Sequence, residues 1–114
     1  MVLDVAGSNP VARPISILHM PWLYVLFSDK DGKFYLGQTQ REINVRVAEH
    51  QAGYVKATKH RRPICLAYAK EFPSAVDVKR TEWKFKQPSG YREKRTFFNM
   101  FKERKHEWPI IEKL

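Results

Sequence analysis

Residues 22–27 read WLYVLF, apolar at every position. A run that is apolar on both alternating faces is the signature of a central strand covered on both sides. Ser28-Asp29-Lys30-Asp31-Gly32 is turn chemistry, and residues 33–38 supply a second strand, so this stretch predicts a β-hairpin. Thr39-Gln40-Arg41-Glu42 then has the form of a Thr-x-x-Glu capping box, whose side chains can satisfy free amides at a helix start. A first helix is expected to run to about Ala52 and to stop at Gly53. Residues 64–72 predict a third strand with Pro63 at its entrance. A second helix follows with Ser74 as its N-cap and continues to about Lys86, where Pro88-Ser89-Gly90 ends it. Residues 91–106 predict a third helix, with Phe97, Phe98, Met100 and Phe101 inward and Arg92, Lys94, Arg95, Lys102, Arg104 and Lys105 outward. The expected order is β-β-α-β-α-α, an α/β (α+β) fold in which a small three-stranded antiparallel sheet is flanked by helices, without internal repeats.

Ahead of the first strand no period can be drawn. Residues 1–20 contain Gly7, Ser8, Asn9, Pro10 and Pro14 and are expected to form a flexible arm. The run Gly-Ser-Asn-Pro-Val at residues 7–11 can be encoded by DNA containing the T-loop consensus of tRNA genes. That raises the expectation of a non-native arm, with translation starting at Met20. The folded domain is expected over residues 21–106, with 107–114 a C-terminal tail.

Composition sharpens the choice of partner. A chain of 114 residues allows one domain with one modest core. It carries 21 Lys plus Arg against 12 Asp plus Glu, a net charge of +9, so a polyanion is favoured: nucleic acid first, an anionic membrane surface second. Apolar residues make up 43%, enough to place that charge on a folded body and not on a disordered tail. The single Cys65 lies in the apolar run ICLAYA and reads as a buried core thiol. No apolar run approaches the roughly 20 residues needed to span a bilayer. With Asp4 near the start and no basic segment before a sustained apolar stretch, the N-terminus does not read as a secretion signal. A soluble, cytoplasmic protein without membrane partners is expected.

Three features carry candidate chemistry. In the hairpin, a loop with an even number of residues would pair Tyr24 with Gly37 and Leu26 with Tyr35, placing the two phenols on one face as diagonal neighbours. An odd loop would separate them, and a strand aromatic taken alone usually fills core. On the first helix, Arg46 and His50 are four apart and share a face. A guanidinium can fork onto phosphate oxygens and an imidazole can exchange a proton near neutral pH, although such a pair is commonly a solvated face. Glu82 stands among Lys79, Arg80, Lys84 and Lys86, where a surface ion pair is the ordinary reading. Lys56, Lys59, His60, Arg61 and Arg62 form a basic loop between the first helix and the third strand.

Tyr24 with Tyr35-Leu36-Gly37, then Arg46-x-x-x-His50, then Glu82, closely resembles the GIY-YIG nuclease family in order and spacing. The resemblance covers roughly residues 20–90. It is nearest to the small single-domain bacterial members, through Arg61-Arg62-Pro63 before the third strand and Glu71-Phe72-Pro73 after it. Thr81-Glu82-Trp83-Lys84-Phe85 is also similar to a segment of the eukaryotic structure-specific members. Trp22 replaces the first glycine of the name motif and Leu36 its second isoleucine, and neither change removes a functional group. The family's late Asn has two candidate counterparts, Gln87 and Asn99.

The resemblance implies the GIY-YIG fold and a metal-dependent endonuclease acting on phosphodiester bonds in DNA, with RNA left open, in repair, recombination or mobile-element biology. It implies Mg²⁺ or Mn²⁺ held by Glu82, charge neutralisation by Arg46, Tyr24 as general base, Tyr35 ordering Tyr24 or the phosphate, and His50 as an alternative base or relay. Lys56, Lys59, Arg61, Arg62 and Arg95 are expected to meet the phosphate backbone and so to give little sequence specificity. A protein partner that directs the enzyme to substrate is a further expectation. The alternative is a non-catalytic or partner-dependent nucleic-acid-binding module that retains the fold.

Overall fold

The apolar run at residues 22–27 and the serine after it become β1 (Trp22–Ser28), an inner strand of a sheet, in a computed structural model that describes residues 20–114. The expectations for the N-terminal arm lie outside the described residues. β1 pairs antiparallel with β2 (Phe34–Thr39) on one side and β3 (Ile64–Glu71) on the other. β4 (Ile110–Glu112) joins β3 in parallel, and the order across the sheet is β2-β1-β3-β4. The sheet therefore has four strands, not three, and is not wholly antiparallel. Ile110-Ile111-Glu112 is too short to show an alternating pattern. Just ahead of it Trp108 is tied to the third helix, its indole Nε1 donating to the Phe101 carbonyl at 3.0 Å.

α1 (Ile43–Ala52) covers one face, and α2 (Ala75–Lys86) and α3 (Tyr91–Glu103) cover the other. Side chains alternate along β1, so Trp22, Tyr24 and Leu26 pack with Ile43 and Val47 of α1. Leu23 and Val25 pack with Val78 of α2 and Phe101 of α3. Burial on both sides explains why β1 has no polar position before Ser28.

The helix ends follow local chemistry, with one exception. Ser74 caps α2, its hydroxyl accepting from the Asp77 amide at 3.2 Å. α1 ends at Gly53 in the left-handed region, φ 88°, a conformation that glycine adopts without a Cβ clash. The Thr39–Glu42 box does not cap α1. Thr39 is the last residue of β2, paired with Trp22, and its hydroxyl accepts from the Arg41 amide at 3.0 Å. The helix begins only at Ile43, and Glu42 makes no side-chain cap bond. Strand pairing fixes Thr39 too far ahead of the helix, so its oxygen serves the turn.

Two packing expectations also change. Met100 is 43% exposed, because Phe97, Phe98 and Phe101 centre the inward stripe of α3 and leave Met100 on its margin. Cys65 is only half-buried, and that burial still raises its thiol pKa. No helix among the described residues is long and apolar enough to cross a membrane.

Candidate active site

The hairpin register decides the placement of the two phenols. Tyr24 pairs with Gly37 and Leu26 with Tyr35, the even-loop arrangement, so both tyrosines lie on the α1 face. Their rings meet the same imidazole: the His50 centroid is 5.4 Å from that of Tyr24 and 5.5 Å from that of Tyr35. Gly37 makes this possible. A Cβ at that position would lie 2.7 Å from both Cζ and Oη of Tyr24, so only glycine lets the phenol rest across β2. Tyr24 is 1% exposed and is at once a core residue and a member of the candidate site.

α1 presents Arg46 and His50 to that phenol from one face, as their spacing requires. Arg46 Nε donates to Tyr24 Oη at 3.3 Å, and His50 Nε2 lies 2.8 Å from the same oxygen. The other imidazole nitrogen, Nδ1, is 2.7 Å from Thr58 Oγ1. His50 and Thr58 are both 0% exposed. Glu49 braces the guanidinium, bound by Arg46 at 3.0 Å and by Arg41 at 2.7 Å, and the Arg46 contact leads in lowering its pKa.

Burial dominates the electrostatics of the group. It pushes the Tyr24 phenol up to about 12, against the hydrogen bond and charge of Arg46. Burial, reinforced by the Arg46 charge, pushes His50 down to about 4. At neutral pH Tyr24 is therefore a phenol and His50 a neutral imidazole with one donor and one acceptor nitrogen.

Glu82 comes from α2, on the opposite face of the sheet. Its carboxylate pairs with Lys86 at 3.3 Å, and Lys86 Nζ lies 5.9 Å from the Tyr35 ring centroid, which links the acid to the hairpin. Glu82 makes no hydrogen bond to Tyr24, Arg46 or His50, yet its charge reaches the Tyr24 phenol and raises its pKa. The ion pair expected from its lysine-rich surroundings is present beside the candidate role. Among the described residues no three His, Cys, Asp or Glu side chains gather into a cage. A single accessible carboxylate suits a hard cation that keeps most of its waters, as Mg²⁺ does, and Mn²⁺ also accepts oxygen ligands. Glu82 supplies one oxygen ligand of the kind such an ion accepts, at present paired with Lys86.

The expected phosphate-contact residues divide. Lys56, Lys59 and Arg62 are exposed in the connection after α1, and Arg95 is exposed on α3, on the face opposite α1. Arg61 turns inward instead. Its Nε meets Asp31 Oδ2 at 2.7 Å, and a second nitrogen reaches Asp31 Oδ1 at 3.3 Å and the Phe34 carbonyl at 3.4 Å. The hydrogen bond from Arg61 holds the Asp31 carboxyl down to about 2. Arg61 thus ties the basic connection to the hairpin turn. Gln87 Nε2 donates to the Trp83 carbonyl at 3.3 Å and Asn99 is exposed, so neither bonds to the Tyr24 group.

Glu49 and Thr58 were not legible as members of this group. The three-residue spacing of Glu49 from Arg46 was an available signal. Thr58 offered none, since its place under His50 depends on how the connection folds back.

A family profile described as the GIY-YIG catalytic domain matches residues 20–96, more than half of the chain. The UPF0213 protein SH2523 of Staphylococcus haemolyticus (strain JCSC1435) is 40% identical over 58 residues, which cover 50% of this chain and 70% of that protein. No solved structure matches at a significant level. The profile match spans the hairpin, α1 and α2, the elements that carry Tyr24, Arg46, His50 and Glu82, and on it the chain belongs to the GIY-YIG nuclease family.

Proposed function

We propose that this protein is a cytoplasmic, metal-dependent endonuclease that hydrolyses phosphodiester bonds in DNA with low sequence specificity, in repair, recombination or mobile-element biology. The observation that carries the reading is the Tyr24 oxygen, held between Arg46 Nε at 3.3 Å and His50 Nε2 at 2.8 Å. A phenol has no need of two cationic or imidazole partners to serve as core. Beside a phosphate, the same arrangement offers a charge clamp and a proton acceptor.

In this reading the partly exposed Arg46 guanidinium neutralises the non-bridging oxygens of the scissile phosphate. Tyr24, once it has released its own proton and stands as a phenolate, takes the proton of the attacking water, and Tyr35 orders the phosphate or the Tyr24 ring. His50 has no accessible surface and both its nitrogens are engaged, so it acts on the reaction through Tyr24. Glu82 would hold the cation, exchanging its contact with Lys86 for it. Once bound, the cation would supply positive charge at the phosphate and at the departing 3′ oxygen, and would favour ionisation of the Tyr24 phenol. Lys56, Lys59, Arg62 and Arg95 would position the backbone without reading bases.

The test is incubation of the purified protein with labelled single-stranded, duplex and branched DNA and matching RNA, in Mg²⁺, Mn²⁺ or EDTA. Cleavage that needs the metal is expected. Arg46→Ala should lower its rate by about 10²–10³-fold while DNA binding persists. Undiminished cleavage by Glu82→Ala would remove the metal role from that residue, and absence of cleavage in every arm would favour the binding module.

A further inference from the structure

His50 lies between two hydroxyls, and which of its nitrogens carries the proton decides what the Tyr24 oxygen receives. A neutral imidazole donates from one nitrogen and accepts at the other, so two arrangements are available. In the first, Nδ1–H donates to Thr58 and Nε2 accepts the Tyr24 hydroxyl proton. In the second, the Thr58 hydroxyl donates to Nδ1, and Nε2–H donates to Tyr24.

The surroundings of Thr58 separate them. Its residue is 0% exposed, and the only hydrogen bond of its Oγ1 among the described residues is the 2.7 Å contact to His50 Nδ1. The first arrangement strands the Thr58 proton in a sealed position, where an unpaired donor is costly. The second satisfies it and leaves the Tyr24 proton without a protein acceptor. Tyr24 is itself only 1% exposed, but its oxygen, unlike that of Thr58, borders a partly exposed side chain, the Arg46 guanidinium with Nε at 3.3 Å. The Thr58 hydroxyl is also well placed. Its backbone is pinned from both sides, its amide on the Val55 carbonyl at 3.1 Å and its carbonyl accepting the Arg61 amide at 2.9 Å.

We propose that Thr58 is a positioning residue: its hydroxyl donates to His50 Nδ1, fixes the imidazole with its proton on Nε2, and so aims two N–H donors, from His50 and Arg46, at the Tyr24 oxygen. A phenol in this setting turns its own hydrogen away from His50. When that proton leaves to solvent, the phenolate is held by two hydrogen bonds, which favours the charged form. It then takes one proton from the attacking water and returns to a phenol. His50 serves as a donor to the base and not as its proton acceptor. This assignment rests on the nuclease reading for its catalytic consequence, while the tautomer stands apart from it.

The experiment uses both parts. Nitrogen-15 spectra of the imidazole in the full chain at pH 7 report the tautomer whether or not the protein cleaves anything, with His50 assigned by its absence in His50→Gln. Protonated Nε2 with bare Nδ1 is expected. A proton on Nδ1, alone or together with Nε2, overturns the proposal even if cleavage is robust. Thr58→Val removes the donor at nearly constant volume. It is expected to lower kcat for DNA cleavage about tenfold with KM little changed, and Thr58→Ser is expected to restore both the rate and the wild-type nitrogen signals. Valine at full kcat, or serine that restores neither, would overturn it. A wild-type protein that shows the expected tautomer but no nuclease activity would sink the nuclease reading alone.

Discussion

Gly37 and Tyr24 compete for one volume, and the smaller residue yields it. A methyl group at position 37 would stand 2.7 Å from Cζ and Oη of Tyr24, well inside contact distance, so the ring would have to leave its place between Arg46 and His50. Misplacement of a reacting group by about 1 Å can cost about 10²-fold in rate. Gly37→Ala is therefore expected to lose about two orders of magnitude in kcat while its circular dichroism stays that of a folded chain. Retention of more than a tenth of the activity would argue against a reacting role for this phenol. His50 makes a separate mark on stability. Its pKa is about 4 in the fold and about 6.5 when unfolded, so between those values the unfolded chain binds the extra proton. Stability is thus fully present above pH 6.5 and falls as pH drops toward 4, by on the order of 2–3 kcal/mol from this residue. Asp31, held near 2, gives up its contribution only at lower pH. Urea unfolding at pH 7 and pH 4.5 should show the loss in the wild type and a smaller one in His50→Gln.

The secondary elements divide by how locally their causes lie. β1 was legible because burial on two faces writes itself as an unbroken apolar run, and α2 because Ser74 begins it and Pro88 closes it. Ser74→Ala should accordingly cost about 1 kcal/mol, read as a lower urea midpoint with unchanged slope, since the serine oxygen accepts the Asp77 amide at 3.2 Å. The same kind of signal misled at α1. Thr39 and Glu42 have the spacing of a capping box, but pairing of Thr39 with Trp22 took precedence over helix propensity. β4 leaves no mark in the sequence because three residues cannot display a period, and its parallel partner β3 lies far back along the chain. In the candidate site, helix spacing put Arg46 and His50 on one face and strand alternation put Tyr24 and Tyr35 together only for an even loop, and it was the family resemblance that singled the four out. Thr58 was not, because its partner lies in another element and the turn that carries it has no repeat. Arg61 shows the limit of reading charge as surface: a basic residue in a basic loop proved to be the inward fastening of that loop, through Asp31.

For the molecule as a whole, net charge predicts affinity only after the paired cations are set aside. The chain carries +9, yet Arg41 and Arg46 bind Glu49, Arg61 binds Asp31, Arg104 binds Glu107 and Lys86 binds Glu82. A cation already matched to a carboxylate releases fewer counterions from DNA than an unmatched one at the same height above the surface. The logarithm of the DNA association constant should fall linearly with the logarithm of salt concentration, with a slope of about −0.9 for each phosphate neutralised on duplex DNA. Lys59 and Arg62 are exposed, and none of the ion pairs found among the described residues includes either of them. Lys59→Ala and Arg62→Ala are each expected to make the slope shallower by about 0.9, with the urea midpoint nearly unchanged. Arg61→Ala should do the reverse, leaving the slope almost intact while lowering the midpoint, because it frees Asp31 and unfastens the connection from the hairpin turn. Fluorescence anisotropy titrations across a salt series, with an unlabelled duplex as competitor, measure the slopes directly. A full-size change of slope in Arg61→Ala would mean that this arginine leaves Asp31 to reach the phosphate backbone when DNA binds.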